Sequence, residues 1–302
     1  MLITFLYNVY FILFDVINGR FLMRSIKVQK IIEAVKKICI EANYLLGPEE
    51  LNALDESISK EESKTGIEIL KQIRMNAEIA KKEDIPICQD TGSAVFFVEI
   101  GHDVKIEDGS LNHAINEGVR QGYREGYLRK SILKDPIERI NTGDNTPAII
   151  HYSLVEGDKL KIILDAKGGG SENMSRLKML KPSDGKDGIK DFVIEAVKLA
   201  GANACPPLVV GVGIGGNFEK CALLAKSSLL RPLGKPNKDP KIASLEKELL
   251  EEINGLGIGP QGLGGRITAL AVHVETYPCH IASLPVAVNL DCHVHRHKEI
   301  IL

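Results

Sequence analysis

The stretch Leu208-Val-Val-Gly-Val-Gly-Ile-Gly-Gly-Asn217, running on into Phe218-Glu-Lys-Cys-Ala-Leu-Leu-Ala-Lys-Ser-Ser-Leu229, decides the fold class. Its Val- and Ile-rich first half, bounded by Pro207 and Gly216, reads as a buried strand, and the apolar spacing of its second half as a helix. Gly211, Gly213 and Gly216 satisfy the G-x-G-x-x-G spacing of dinucleotide folds. Such a fold also needs a second strand ending in Asp or Glu about 20 residues on. That place is Leu229-Leu-Arg-Pro-Leu-Gly-Lys-Pro236, which offers neither. A glycine-rich strand-to-helix turn, where missing Cβ atoms admit a closely packed backbone, accounts for the motif without a nucleotide.

Working outward, Val28, Ile31, Ile32, Val35, Ile38, Ala42 and Leu45 recur at helical spacing, with Ser25 placed to cap and Gly47-Pro48 to stop. Helical patterns over 48–59 and 65–82 complete an α-rich first third. Strand patterns follow at 94–100, 148–155, 159–164, 208–214, 268–274 and 285–290, separated by helical patterns at 111–128, 188–200, 218–229 and 242–253. The class is therefore mixed α/β (α+β), too irregular in order for a doubly wound sheet.

Composition excludes several function classes. At 302 residues and 26% charged, the chain is long and balanced enough for a packed core. Its 38 basic and 40 acidic side chains leave no excess for a phosphate backbone, so nucleic acid is not an expected partner. Six cysteines without a Cys-x-x-Cys pair suit a reduced, cytoplasmic protein better than a disulfide scaffold. Residues 1–22 are apolar and aromatic, yet lack the basic start of a signal peptide and meet Asp15 too soon for a membrane span. We expect translation to start at Met23, making 1–22 a non-native leader, and we expect no membrane partner.

Candidate chemistry gathers in punctuated loops. Cys88-Gln89-Asp90-Thr91-Gly92 combines a soft metal ligand, an amide and a possible base, although a buried cysteine beside an Asx-turn would look the same. Lys167-Gly168-Gly169-Gly170-Ser171 can aim backbone amides and a positive charge at a carboxylate or phosphate, or be a flexible turn with a solvated lysine. Cys205, before Pro206-Pro207, and Cys292, after a strand pattern, occupy similar places; their spacings of 117 and 87 residues match no ferredoxin. Three loop thiolates suit a four-iron cluster with one open iron. Cys279-His280 and Cys292-His293 lack the gaps of a zinc site. His295 to Lys298 reads as a solvated basic tail.

Taken together, Pro86-Ile-Cys-Gln-Asp-Thr-Gly92, Asn141-Thr-Gly-Asp-Asn-Thr-Pro147, Lys167-Gly-Gly-Gly-Ser171, Ala204-Cys-Pro-Pro207, Gly262-Leu-Gly-Gly265 and His280-Ile-Ala-Ser-Leu-Pro285 resemble the α subunit, or N-terminal domain, of class I fumarases and L-tartrate dehydratases. The resemblance runs from about Ser25 to His297, implying one catalytic domain over 23–302. It implies a [4Fe-4S] cluster held by Cys88, Cys205 and Cys292 with one open iron. It also implies Asp90 as the proton-moving residue, with Gln89, His280 and the Lys167-Gly168-Gly169 turn on the substrate. Single-chain relatives continue into a second domain, so a separate β subunit, an α2β2 assembly and a four-carbon dicarboxylate substrate are expected. The expected reaction interconverts fumarate and (S)-malate; L-tartrate dehydration is the alternative. A metal-binding module without chemistry is the rival from another class, and a nicotinamide dehydrogenase rests only on the Gly211 turn.

Overall fold

A computed structural model describes residues 23–302, and the expected leader lies outside the described residues. The chain opens with β1 (Arg24–Lys27), α1 (Val28–Tyr44), α2 (Pro48–Lys60) and α3 (Lys64–Glu83). The apolar stripe of α1 is buried as its spacing requires, but the helix begins two residues later than expected. Ser25 is no cap: it lies in β1, and its hydroxyl donates to Glu107 Oε1 at 2.8 Å. A strand partner some 80 residues away leaves no local mark at Ser25.

There follow β2 (Ser93–Gly101), β3 (Val104–Glu107), α4 (Leu111–Glu125), β4 (Leu133–Asp135), β5 (Ile140–Asn141), β6 (Ile149–Val155) and β7 (Leu160–Lys167). The second half comprises α5 (Gly169–Asn173), β8 (Arg176–Leu180), α6 (Gly185–Ala200), β9 (Leu208–Gly215), α7 (Phe218–Ser228), α8 (Pro240–Asn254), β10 (Ala269–Tyr277), β11 (Leu284–Asp291) and β12 (His297–Ile301). The mixed α/β class holds.

Two four-stranded sheets carry the architecture, ordered β12-β7-β2-β6 and β10-β9-β11-β8. The first buries Phe96, Val98, Ile162 and Leu164 under α1 and α4. The second buries Val210, Val212, Val286 and Val288 under α6 and α8. Its other face takes α7, and here the glycine turn finds its use. A Cβ on Gly213 would stand 2.1 Å from the Cys221 carbonyl oxygen, so only glycine lets β9 touch the α7 backbone.

Strand ends position the site. Ser93, at the start of β2, pairs with Lys167 at the end of β7, and His297, at the start of β12, pairs with Asp165. Val209, near the start of β9, pairs with Asp291 at the end of β11. The chain passes from one sheet to the other twice here, through α5 and through residues 292–296, so the loops bearing Cys88, Gly168, Cys205 and Cys292 meet at the junction. Among the described residues, no helix is long and apolar enough to cross a membrane.

Candidate active site

The loop before β2 is held from behind by helix α1 and its neighbours. Ile87 N donates to the Asn43 carbonyl at 2.9 Å, and Asn76 Nδ2 donates to the Ile87 carbonyl at 2.9 Å. This fixes Cys88, which packs with Cys292 against Ala77, Ala80, Ile87 and Val294. Cys205 reaches the same place from the sheet junction: its carbonyl accepts from His293 Nδ1 at 3.0 Å, one residue beyond Cys292. Gln261 secures that loop by donating its amide nitrogens to the Pro206 carbonyl at 2.7 and 2.9 Å.

All three thiols are free, and two of them, Cys205 and Cys292, have reason to hold their protons without a metal. Burial pushes Cys205 up, helped by the neighbouring Asp90 carboxylate. Burial and the Asp291 carboxylate push Cys292 up to about 11. Of the other cysteines, Cys39 and Cys221 are buried on helices, and Cys279 is exposed on the loop after β10. Three convergent thiols from three loops fit a cluster with three protein ligands.

Asp90 lies across the glycine turn. Its Oδ2 accepts from Gly169 N at 2.8 Å and its Oδ1 from Gly92 N at 3.0 Å, while Arg296 Nη1 donates to its carbonyl. Gly168 is packed between Arg296 and Asp90, where a Cβ would come within 3.4 and 3.7 Å of their side chains. Gln89 is exposed beside the Cys88 thiol, which donates to its Oε1 at 3.5 Å.

Three expectations need correction. The Lys167 amine is not available to an outside anion: its side chain is fully buried and donates to Ser171 Oγ at 2.8 Å, the Leu290 carbonyl at 2.7 Å and Asp291 Oδ1 at 3.3 Å. What the turn presents outward is the backbone at Gly169 and Gly170. The ammonium charge is kept inside by carboxylates: burial works to lower the Lys167 pKa, but Asp291, Asp165 and Glu172 outweigh it.

Second, His295 to Lys298 is no solvated tail. His295 and Arg296 are buried and His297 begins β12. A basic run looks solvated unless its acidic partners are known: Asp291, four residues before His295, gives no sign of turning inward with it, and Glu50 lies far off in sequence. Third, His280 does not join the other site residues within one chain. It is exposed on the loop before β11, whereas Cys292 follows the other end of that strand, about 23 Å away at ordinary strand rise.

Sequence reasoning also missed Arg296, Asp291 and Asn145. Asn145 is fully buried, accepts from Ser131 N at 2.7 Å and donates to the Gly92 carbonyl at 3.3 Å. It stands within a motif already singled out. Asp291 precedes Cys292 directly and Arg296 follows four residues on, and nearness in sequence to a thiol was their only signal.

Residues 32–301 match the family described as fumarate hydratase (Fumerase). A Methanocaldococcus jannaschii protein, provisionally named L(+)-tartrate dehydratase subunit alpha, is 45% identical over 87% of this chain and 94% of its own length. The L(+)-tartrate dehydratase subunit alpha of Escherichia coli K12 is 36% identical over 72% of each chain. With the family match covering almost all described residues and the thiol, glycine and carboxylate loops brought to one junction, the chain belongs to the fumarate hydratase (Fumerase) family of hydro-lyases.

Proposed function

We propose that this chain is the α subunit of an iron-sulfur hydro-lyase that adds water to, or removes it from, a four-carbon dicarboxylate. The observation that carries the reading is the meeting of Cys88, Cys205 and Cys292 with Asp90 on the Gly168-Gly169 turn. A [4Fe-4S] cluster on those thiols supplies Lewis acidity toward the departing hydroxyl. Six free cysteines agree with a reducing cytoplasmic setting.

The chain's own residues do the rest. The Asp90 carboxylate takes the proton from the carbon next to a substrate carboxylate in dehydration and returns it in hydration. Its two amide hydrogen bonds fix its direction before substrate arrives, which is what a base acting on a weakly acidic C–H requires. The outward backbone amide of Gly170 faces a substrate carboxylate while that of Gly169 holds Asp90, and Gln89 reaches the same space. Arg296 and the buried Lys167 support the two loops from beneath and act as positioning residues.

The main reading is fumarate to (S)-malate. The names of the relatives support L(+)-tartrate as the second reading, and their designation as α subunits supports a separate β partner that completes the site. Steady-state rates of the reconstituted pair on both substrates decide between them. Asp90→Asn is expected to cut turnover by about 10³-fold, with iron per chain unchanged. Near-normal turnover in that variant would remove Asp90 from its role.

A further inference from the structure

The segment 295–297, which looked like a tail, lies against Glu50 in the first turn of α2. We propose that Glu50, His295 and His297 form a second metal site, of the two-histidine, one-carboxylate kind, for a zinc-class divalent ion. One donor atom from each of the three lies within 4.8 Å of the others. His297 Nδ1 is 3.8 Å from Glu50 Oε1. A tetrahedral ion with bonds of about 2.1 Å sets its ligands about 3.4 Å apart. Small side-chain rotations close that difference.

Burial makes the cluster more than a chance meeting of polar groups. Glu50 and His295 are each 3% exposed, and His295 Nε2 and His297 Nδ1 are buried nitrogens without a hydrogen-bond partner. Such atoms are rare in folded proteins because water is lost and nothing replaces it. His295 is also oriented as metal-binding histidines are: its Nδ1 lies 2.8 Å from Asp291 Oδ2, which leaves Nε2 as the free lone pair. The backbone of His295 is held at φ 37°, a left-handed conformation unusual for a residue other than glycine. Gly47 leaves room for the carboxylate, since a Cβ there would stand 2.5 Å from Glu50 Oε2.

The donor set selects the ion. Two imidazoles and one carboxylate suit zinc or a neighbouring divalent transition ion, whereas calcium and magnesium prefer all-oxygen sites. No thiol takes part, so the site is chemically distinct from the three cysteines. Asp291 joins the two places: it orients His295 and accepts from Lys167 and from the Cys292 amide. Surface access is close, because a cavity of about 360 Å³ borders Leu46, Gly47, Leu51 and Lys298, neighbours of Glu50 and His297 in sequence.

The test uses the full chain stripped with chelator and dialysed against Zn²⁺ alone, with the metal counted and its ligands read by X-ray absorption. A Cys88→Ser, Cys205→Ser, Cys279→Ser, Cys292→Ser chain is run beside it to remove the three clustered thiols and the exposed one, leaving only Cys39 and Cys221 buried on helices. The expected result is one zinc per serine-variant chain, with a nitrogen and oxygen shell. Affinity is expected to fall at least about 100-fold in His297→Gln and Glu50→Gln. Should Glu50→Gln fail to fold, His297→Cys keeps the test open: it is expected to retain zinc and to add one sulfur to its shell. Zinc found only on sulfur in the parent chain, or binding unchanged by His297→Gln, overturns the proposal. So does a folded serine-variant chain that takes up no zinc. Failure of the hydro-lyase reading would instead show as missing turnover with this zinc binding intact.

Discussion

At the scale of residues, the candidate site is organised by a buried charge pair that no substrate touches. The Lys167 ammonium is held by Asp291, and Asp291 in turn is kept well below the usual carboxylate range; burial opposes this, but Lys167 and His295 outweigh it. Removing one partner of such a pair strands the other. Lys167→Met is therefore expected to lose about 3–5 kcal/mol, read from the urea midpoint, and Lys167→Met with Asp291→Asn to recover part of it. No recovery in the double variant would show that the pair is not the coupling unit. Asp165, next along β7, has the opposite character: burial, then the Asp291 charge, raise it to about 6. A carboxyl raised in the folded state favours folding while protonated, and that contribution is lost as pH rises through about 6. Asp165→Asn keeps the neutral form. Its melting temperature should gain on the parent between pH 5 and pH 7.5, and a pH-independent difference would show that Asp165 is ionised throughout.

At the scale of elements, the glycines of β9 do for packing what their spacing suggested for a nucleotide. Gly213→Ala would press a methyl into the α7 backbone and is expected to cost about 1–3 kcal/mol, seen as a lowered melting temperature. Unchanged stability would mean that α7 moves away freely. Most long elements were legible because their apolar periods are local: α1, α4 and β9 each announce a buried face within a dozen residues. The missed strands are β1, β3, β4, β5, β8 and β12; Arg24–Lys27 and Arg176–Leu180 between them carry as many charged as apolar side chains. Such edge strands exist through partners elsewhere in the chain, so no period marks them. The candidate site divides in the same way. Cys88, Asp90, Cys205 and the glycine turn stand at breaks in pattern and could be picked out, while the inward turn of Lys167 and the burial of His295 depend on Asp291 and Glu50, whose proximity only the fold creates.

At the scale of the whole molecule, the distance between His280 and the thiols becomes an argument about assembly. The His280 loop belongs to an end of the second sheet where Phe218, Tyr277 and Ile281 expose large apolar side chains, Ile281 at 92%. A cavity of about 740 Å³ lies beside it, lined by His151, Lys220, Tyr277 and His280. Exposed apolar surface next to a polar hollow is what a subunit contact looks like from one side. If His280 serves substrate, as the family resemblance implies, it serves the site of a second copy of this chain. Two-fold symmetry then gives a decisive mixing experiment. Chains carrying Asp90→Asn and chains carrying His280→Asn are each expected to be inactive. In a mixed pair, one site inherits both defects and the other inherits neither. Random reassociation should therefore restore about one quarter of the parental turnover, since half of the pairs are mixed and each holds one intact site. If His280 instead reaches substrate within its own chain, every site keeps one defect, and mixing restores nothing.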